Sequence, residues 1–220
     1  MLGVACALLL AAPDSPKDVR AEAARATVRV TNASKGAEGS GVVVGRKGSF
    51  VYVLTAHHVV DRGDDLAVAT FAAGSGRPHQ VYRDVRVVAR AGDGRDLALL
   101  RVVTDDPLPG KLALCPARRL PDGKGPFPAL SVGCARGEAP TCRADRVTGR
   151  KRVRRGPGAT PSLMWEVDGA QAEGRSGGPL VDNRGYILGV CSGTSGKRSY
   201  FCHADEVRAF LKANGFGWLD

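Results

Sequence analysis

Short apolar runs separated by turn-forming clusters recur along most of this 220-residue chain. Clusters such as SKGAEGS, DRGDD and AGDGRD interrupt the runs, and the chain holds 29 Gly and 13 Pro. A chain interrupted this often favours short β-strands over long helices. The runs lie at 26–30, 41–44, 50–55, 66–71, 81–89, 97–103, 129–134, 141–148, 163–167, 179–181, 186–191 and 200–203. The pattern therefore predicts an all-β protein.

The runs fall into two sets of six, which predicts two packed six-stranded antiparallel β-barrels. We expect one domain over residues 25–220, with the first barrel at about 25–103 and the second at about 129–203. The stretch between them, about 104–128, is rich in proline and glycine and would connect the barrels. The hydrophobic fraction of 43% and the charged fraction of 25% are ordinary for a globular protein and exclude a disordered chain.

Only the C-terminal end has the spacing of a helix. Within about 204–214, Val207, Phe210 and Leu211 stand at positions i, i+3 and i+4, which places their side chains on one helical face. An Asn-Gly pair follows as a stop signal. A short C-terminal helix is therefore expected after the second barrel.

The N-terminal segment 1–13 (MLGVACALLLAAP) is apolar and has the length of a signal-peptide core. No Lys or Arg precedes it, and no clear cleavage site follows. Residues 1–24 are therefore expected to form a weak export signal or a flexible lead-in, with a frayed tail as the alternative. No apolar stretch reaches the ~18 residues of a membrane span, so we expect no membrane-spanning segment.

The six cysteines include two local pairs, Cys134 with Cys142 and Cys191 with Cys202. Each pair could face across a β-hairpin at a distance that suits a disulfide, although buried free thiols fit the same pattern. No CxxC motif occurs, which argues against zinc or thioredoxin-like chemistry. Together with the signal-like segment, the paired cysteines favour a secreted or periplasmic protein.

Three segments carry residues suited to nucleophilic catalysis. His58 lies in VLTAHHVV, Asp96 opens DLALLRV, and Ser176 lies among glycines in GRSGGPL. A serine hydroxyl needs a base to remove its proton, an imidazole can be that base, and a carboxylate can fix the imidazole's tautomer. Each residue alone is more often structural. Together, in the order His, Asp, Ser, they predict a catalytic triad in the cleft between the barrels.

The segments TAHH, DLALL and SGGP resemble the motifs of the trypsin/chymotrypsin-fold serine proteases, most closely those of the HtrA-like bacterial branch. The resemblance extends over about residues 26–214 and through the run SGGPLVDNRGYILGV. It implies a serine endopeptidase that cleaves polypeptide substrates through an acyl-enzyme intermediate, and nothing in the sequence implies a metal or an organic cofactor. We expect no PDZ domain after residue 214.

By the same resemblance, His58 is the general base, Asp96 orients its ring, and Ser176 is the nucleophile. His57 stands at the variable position of the motif, and strand alternation lets only one of the two histidines face Ser176. The backbone N–H groups of Gly174 and Ser176 would form the oxyanion hole.

The primary specificity pocket is expected, again from the resemblance, to have Ala170 at its base. Val190, Cys191, Ser192 and Gly193 would contribute to its walls. This lining does not support the acidic pocket of trypsin. It predicts a small or medium apolar residue before the scissile bond.

Arg175 departs from the family pattern, because trypsin has Asp directly before the nucleophile and the HtrA-like branch commonly has Asn. Activation by a new N-terminus, as in trypsin, is therefore not expected. A cation at this position could either support or distort the oxyanion loop.

Residues 143–155 (RADRVTGRKRVRR) form a basic segment in a chain of net charge +10. The segment could bind a polyanion or an acidic partner, or it could be a solvated hairpin. No aromatic residue is interleaved, which weakens a single-stranded nucleic-acid interpretation. The alternative to a protease is a catalytically inactive homologue that acts as a protein- or polyanion-binding module.

Overall fold

The protein is described by a computed structural model that covers residues 16–62, 65–72, 74–156 and 158–220. β-Strands are the predominant secondary structure in this part of the chain. In chain order the elements are α1 (Pro16–Ala26), β1 (Thr27–Asn32), β2 (Ala37–Lys47), β3 (Phe50–Ala56), α2 (His57–Val60), β4 (Leu66–Phe71), β5 (Pro78–Tyr82), β6 (Val85–Ala91), β7 (Leu97–Val103), β8 (Phe127–Gly133), β9 (Thr141–Val153), β10 (Ser162–Asp168), β11 (Pro179–Val181), β12 (Ile187–Ser195), β13 (Arg198–His203) and α3 (Ala204–Ala213).

Strands β1 to β7 form an antiparallel sheet in the order β5-β4-β1-β2-β3-β7-β6. Its interior is filled by β-branched and leucine side chains such as Val30, Val53 and Leu100. These residue types suit a pleated, buried surface. The predicted run at 81–89 is divided between β5 and β6 by a tight turn in which Val85 N donates to Arg83 O at 2.9 Å, so this sheet has seven strands rather than six.

Strands β8 to β13 form a closed barrel in the order β10-β13-β12-β11-β8-β9. Trp165, Leu180 and Phe201 are buried inside it. The indole N–H of Trp165 donates to Leu188 O at 2.9 Å, so burial of the ring leaves no unpaired donor. The predicted all-β fold with two barrel-like halves is thereby confirmed.

A shared core holds the two sheets together. Leu54 and Leu99 of the first sheet belong to the same buried cluster as Ile187 of the barrel and Phe210 of α3. Helix α3 begins where the Nδ1 atom of His203 accepts a hydrogen bond from Asp205 N at 3.1 Å. This helix confirms the expected C-terminal helix.

Helix α1 lies where the sequence pattern predicts a flexible lead-in. Val19, Ala23 and Ala26 of this helix are buried, and Ala23 and Ala26 belong to the shared core. Alanines and charged residues alternate too evenly in this segment to form a clear apolar helical face. The sequence pattern therefore did not predict that α1 packs against the shared core. The signal-like segment 1–13 lies outside the described residues. The helices of the described residues are too short or too polar to span a lipid bilayer.

Of the two alternatives left open by the sequence, the structure has free thiols rather than disulfides at Cys191, Cys202, Cys134 and Cys142. In the β12–β13 ladder Cys202 lies opposite Val190, and Cys191 lies one position further along. Adjacent positions along a strand point to opposite faces, so the two thiols enter different cores.

The second pair is also separated, because Cys142 lies opposite Val132, two residues before Cys134. Cys134 packs beside Phe71 of the first sheet, whereas the Cys142 thiol lies 3.4 Å from the carbonyl oxygen of Arg20 in α1. The cysteines in the described part of the chain therefore give no support for an oxidising compartment.

Candidate active site

Asp96 lies directly before β7 and has a left-handed backbone conformation, with φ of 56°. Aspartate tolerates this conformation better than most residues. Its carbonyl oxygen accepts from His57 N at 3.1 Å, and its Oδ1 accepts from His58 N at 3.0 Å. The backbone and the carboxylate of one residue therefore fix the start of α2 and with it the position of the His58 side chain.

The imidazole of His58 is paired with this carboxylate. Its Nδ1 lies 2.9 Å from Asp96 Oδ2 and 3.1 Å from Oδ1. When Nδ1–H donates to a carboxylate, Nε2 carries the lone pair that can accept a proton. The His57 ring lies elsewhere, beside Gly92, where an added Cβ would be 3.1 Å from its Cε1 atom.

Two further groups contact the Asp96 carboxylate. Ser192 Oγ donates to Oδ2 at 2.8 Å, and Arg155 Nη1 lies 3.2 Å from the same oxygen. Burial alone would raise the pKa of Asp96. The hydrogen bond and charge of His58 and the charge of Arg155 outweigh that effect and hold the pKa of Asp96 below its ordinary value. The group is therefore a carboxylate at neutral pH.

Ser176 lies in the loop before β11, against the end of β3. Its carbonyl oxygen accepts from Ser40 N at 2.7 Å. A side chain added to Gly177 would come within 2.8 Å of Ala56 N, so only glycine allows this approach. Since His58 follows Ala56 by two residues, the loop that carries Ser176 lies beside the segment that carries His58.

The same loop is tied to β12. Gly177 N donates to the carbonyl oxygen of Cys191 at 2.7 Å, and the next residue, Ser192, is the one that binds Asp96. His58 and Asp96 are thus in direct contact, and the loop that carries Ser176 lies beside the end of β3, from which His58 follows.

Gly174 has a φ of 83°, and its peptide group is held from both sides. Its carbonyl oxygen accepts from Ser40 Oγ at 2.7 Å, and the carbonyl oxygen of Glu173 accepts from Arg136 N at 2.9 Å. In a trans peptide the C=O and the following N–H point in opposite directions. The N–H of Gly174 therefore points away from Arg136.

Arg175 does not direct its charge toward the oxyanion loop. Its side chain is only 5% exposed and enters the second barrel. Nη2 donates to Ser131 O at 2.9 Å, Nη1 donates to Gly133 O at 3.2 Å and to Thr141 O at 3.1 Å, and Nε donates to Gln171 Oε1 at 2.7 Å. The guanidinium therefore fastens the loop to β8 and β9.

The charge of Arg175 is balanced indirectly, by a carboxylate that it reaches through one intervening side chain. Gln171, which accepts from Arg175, donates through Nε2 to Asp145 Oδ2 at 3.3 Å. Burial lowers the pKa of Arg175, and the carboxylate of Asp145 partly opposes that shift. A buried cation without such hydrogen bonds would be strongly destabilising.

The residues expected to form the primary pocket are not gathered in one cavity. Val190 and Cys191 are 1% and 2% exposed and belong to hydrophobic cores, and Ser192 is engaged with Asp96. Gly193 lines a cleft of about 330 Å³. Ala170 lines a different cavity, of about 520 Å³.

The basic segment 143–155 divides into engaged and free cations. Arg143 pairs with Asp145, Lys151 pairs with Glu166, and Arg155 pairs with Asp96. In the described part of the chain, no salt bridge involves the other cations of the segment, which are exposed: Arg146, Arg150, Arg152 and Arg154. Binding of a polyanion here stays a prediction.

Ser40 and Arg155 were missed as site residues. Ser40 stands in an ordinary strand sequence, and Arg155 is one cation among seven in the basic segment. Their roles come from contacts with residues far away in the chain, which no local pattern encodes.

Residues 39–190 match the family model of the trypsin-like peptidase domain. Among solved structures, the active form of the M. tuberculosis protease Rv3671c has a TM-score of 0.72 at 22% identity, over 98% of this chain and 94% of that chain. Its inactive form has a TM-score of 0.71 at 24% identity, over 94% and 100% of the two chains. The serine endoprotease from Yersinia pestis has a TM-score of 0.71 at 21% identity, over 92% of this chain and 67% of that chain. A search of curated proteins finds no match.

The sequence identities between this chain and the solved structures are all below 25%, so these structures establish a common fold and nothing more. The family model covers well over half of the chain and includes the segments around His58, Asp96 and Ser176. The resemblance seen in the motifs is confirmed, and this chain belongs to the trypsin-like peptidase family.

Proposed function

We propose that the protein is a serine endopeptidase in which Ser176, His58 and Asp96 act as a catalytic triad. The observation that carries this proposal is the contact of 2.9 Å between His58 Nδ1 and a buried Asp96 carboxylate, beside the loop that holds Ser176. An imidazole fixed in this way is a base for a neighbouring hydroxyl.

In the proposed reaction Ser176 Oγ attacks the carbonyl carbon of the scissile peptide bond while His58 Nε2 takes its proton. The tetrahedral intermediate collapses, and His58 returns the proton to the leaving amine. Water then attacks the acyl-enzyme with His58 again as base, which releases the acid and restores Ser176. Asp96 stabilises the imidazolium and fixes its orientation, because its own pKa stays low.

The oxyanion would be stabilised by the backbone N–H groups of Gly174 and Ser176. This assignment is supported by the two hydrogen bonds that fix the carbonyl groups on either side of the Gly174 N–H. Donors that are fixed before the reaction need no reorganisation when the negative charge develops. Arg175 stabilises the same loop from inside the barrel, so the loop would not depend on a newly formed N-terminus for its conformation.

A polypeptide substrate would lie along the free edge of β12. This strand pairs with β11 only between Ile187 and Val190, whereas its last residues, Gly193–Ser195, pair only with β13. An extended peptide can add to such an edge through main-chain hydrogen bonds. The scissile bond would then reach Ser176 at the inner end of the cleft.

The test is hydrolysis of an unfolded protein substrate such as fluorescently labelled casein. Ser176→Ala and His58→Ala should lower the rate by at least about 10³-fold, and Asp96→Asn should do so because it presents the wrong hydrogen-bonding partner to Nδ1. The matched control is His57→Ala, which should keep activity. Casein hydrolysis that survives in Ser176→Ala would contradict the proposal.

A further inference from the structure

Arg155 connects the Asp96 carboxylate to the cleft that lies along β12. Its Nη1 donates to the carbonyl oxygen of Ser192 at 2.7 Å and also contacts Ser192 Oγ. The same atom lies 3.2 Å from Asp96 Oδ2. The guanidinium therefore reaches both the triad carboxylate and the strand edge on which a substrate would lie.

All of these contacts come from one corner of the guanidinium. Within the described residues, Nε and Nη2 of Arg155 have no hydrogen-bond partner, and the side chain is 32% exposed. The Nε and Nη2 edge is one of the two edges through which an arginine binds a carboxylate with two parallel hydrogen bonds. Arg155 thus keeps a complete carboxylate-binding edge while Nη1 is anchored.

The surrounding cleft favours an anion. It is lined by Arg154 and Arg155, by the apolar side chains of Val153 and Met164, and by the strand edge Gly193–Ser195. Its cations stand close to a strand edge that can hold an extended peptide, so they would meet substrate side chains rather than solvent alone.

Glu166, whose carboxylate contacts the cleft residue Tyr200, does not cancel this charge. Glu166 Oε2 accepts from Lys151 Nζ at 2.7 Å and from Tyr200 OH at 3.2 Å. Lys151 therefore already neutralises Glu166, and Arg154 makes no salt bridge in the described part of the chain. The cleft keeps a net positive charge.

We propose that Arg155 is a specificity-determining residue that binds the carboxylate of an Asp or Glu side chain in the polypeptide, on the side of the scissile bond that lies along β12. The inference rests on the proposed function, since it assumes that the cleft holds the substrate. Nη1 stays on Ser192 while Nε and Nη2 take the carboxylate, so the substrate acid and Asp96 share one guanidinium. This preference would act outside the primary pocket.

The test uses the full chain with Ser176→Ala, which cannot turn substrate over, and an array of immobilised peptides. Each peptide carries Glu at one position, and its twin carries Gln there. We expect Glu members to be retained about tenfold more strongly than their Gln twins at low salt, as for a charge-assisted hydrogen bond. The preference should decrease as salt is added, because the site is partly exposed.

Arg155→Met, added to the same background, should abolish the Glu preference, and Arg155→Lys should keep part of it. The matched control is Arg90→Met, which removes one exposed cation from β6 of the other sheet. It should leave the ratio between twins unchanged. Equal retention of the twins, retention of neither, or a preference that survives Arg155→Met would overturn the proposal.

Turnover of the same twins by the unmutated enzyme separates the two proposals. Hydrolysis of both twins at equal rates would contradict the role of Arg155 in specificity and support the peptidase activity. A Glu preference in binding without any hydrolysis would support the role of Arg155 in the cleft and contradict the peptidase activity.

Discussion

The hydroxyl group of Ser40 donates a 2.7 Å hydrogen bond to the carbonyl oxygen of Gly174. Ser40 belongs to β2 of the first sheet, and Gly174 belongs to the loop that carries Ser176 in the second half of the chain. The same oxygen of Ser40 accepts from Cys134 N at 2.8 Å. One side chain of the first sheet therefore sets the position of the proposed oxyanion loop.

Ser40→Ala should lower kcat by about tenfold with little change in KM. Without the hydrogen bond from Ser40, the loop holds its N–H donors less precisely, which weakens stabilisation of the transition state but not binding of the substrate ground state. The measurement is steady-state peptide hydrolysis. The control is Ser34→Ala, an exposed serine in the turn after β1. Equal kcat for Ser40→Ala and the unmutated enzyme would contradict the role given to Ser40.

Arg175→Met should lower the free energy of unfolding by about 2 kcal/mol, since the carbonyl oxygens of Ser131, Gly133 and Thr141 lose a buried donor. Urea unfolding measures this loss directly. Arg184→Met, at an exposed turn between β11 and β12, is the matched control and should change stability by less than about 0.5 kcal/mol. An Arg175→Met protein as stable as the control would mean that the cation is not a structural anchor.

The thiols should be unreactive in the folded protein. Burial raises the pKa of Cys134 to about 12 and that of Cys191 to about 12, so at pH 8 both stay protonated and poorly nucleophilic. Iodoacetamide should leave Cys134 and Cys191 unmodified in the folded protein and should alkylate them once the protein is denatured, with no reductant added; mass spectrometry reads the modification. If these cysteines stay unmodified in denaturant without reductant, they are in disulfides, and the assignment of free thiols is wrong.

His203 should make the fold less stable in mild acid. Burial lowers the pKa of His203 below the ordinary histidine value of 6.5, so the unfolded chain binds a proton that the folded chain does not. The free energy of unfolding is therefore unaffected by protonation of His203 at pH values above 6.5, and it decreases as the pH falls below 6.5. His203→Asn keeps a side-chain acceptor for Asp205 N but cannot titrate. Between pH 7 and pH 5 its unfolding free energy should fall less than that of the unmutated protein, and equal falls would contradict this explanation.

The parts of the fold that local chemistry determines were predictable. The glycines around Ser176, the apolar run before His58 and the Asp at the start of β7 stand in a recognisable order, and the alternation of apolar runs with turns predicted strands. The family match over 39–190 agrees with that interpretation. Such features are encoded within a few residues of one another.

The remaining features depend on register and on distant contacts. The spacing of Cys191 and Cys202 predicts a shared hairpin, but their register differs by one residue and turns the thiols to opposite faces. Arg155 and Arg175 each stand in a sequence that predicts a solvated or disturbing charge. Their positions follow from partners across the barrel, which only the assembled fold brings near.

The most direct test of the central claim is labelling with a fluorophosphonate probe, read as intact mass. Such probes react with a serine whose hydroxyl is activated by a base. The account predicts one adduct on the unmutated protein and on His57→Ala, and none on Ser176→Ala or His58→Ala over the same time. A folded, unmutated protein that takes up no probe, or an adduct that persists in Ser176→Ala, would contradict Ser176 as the activated nucleophile.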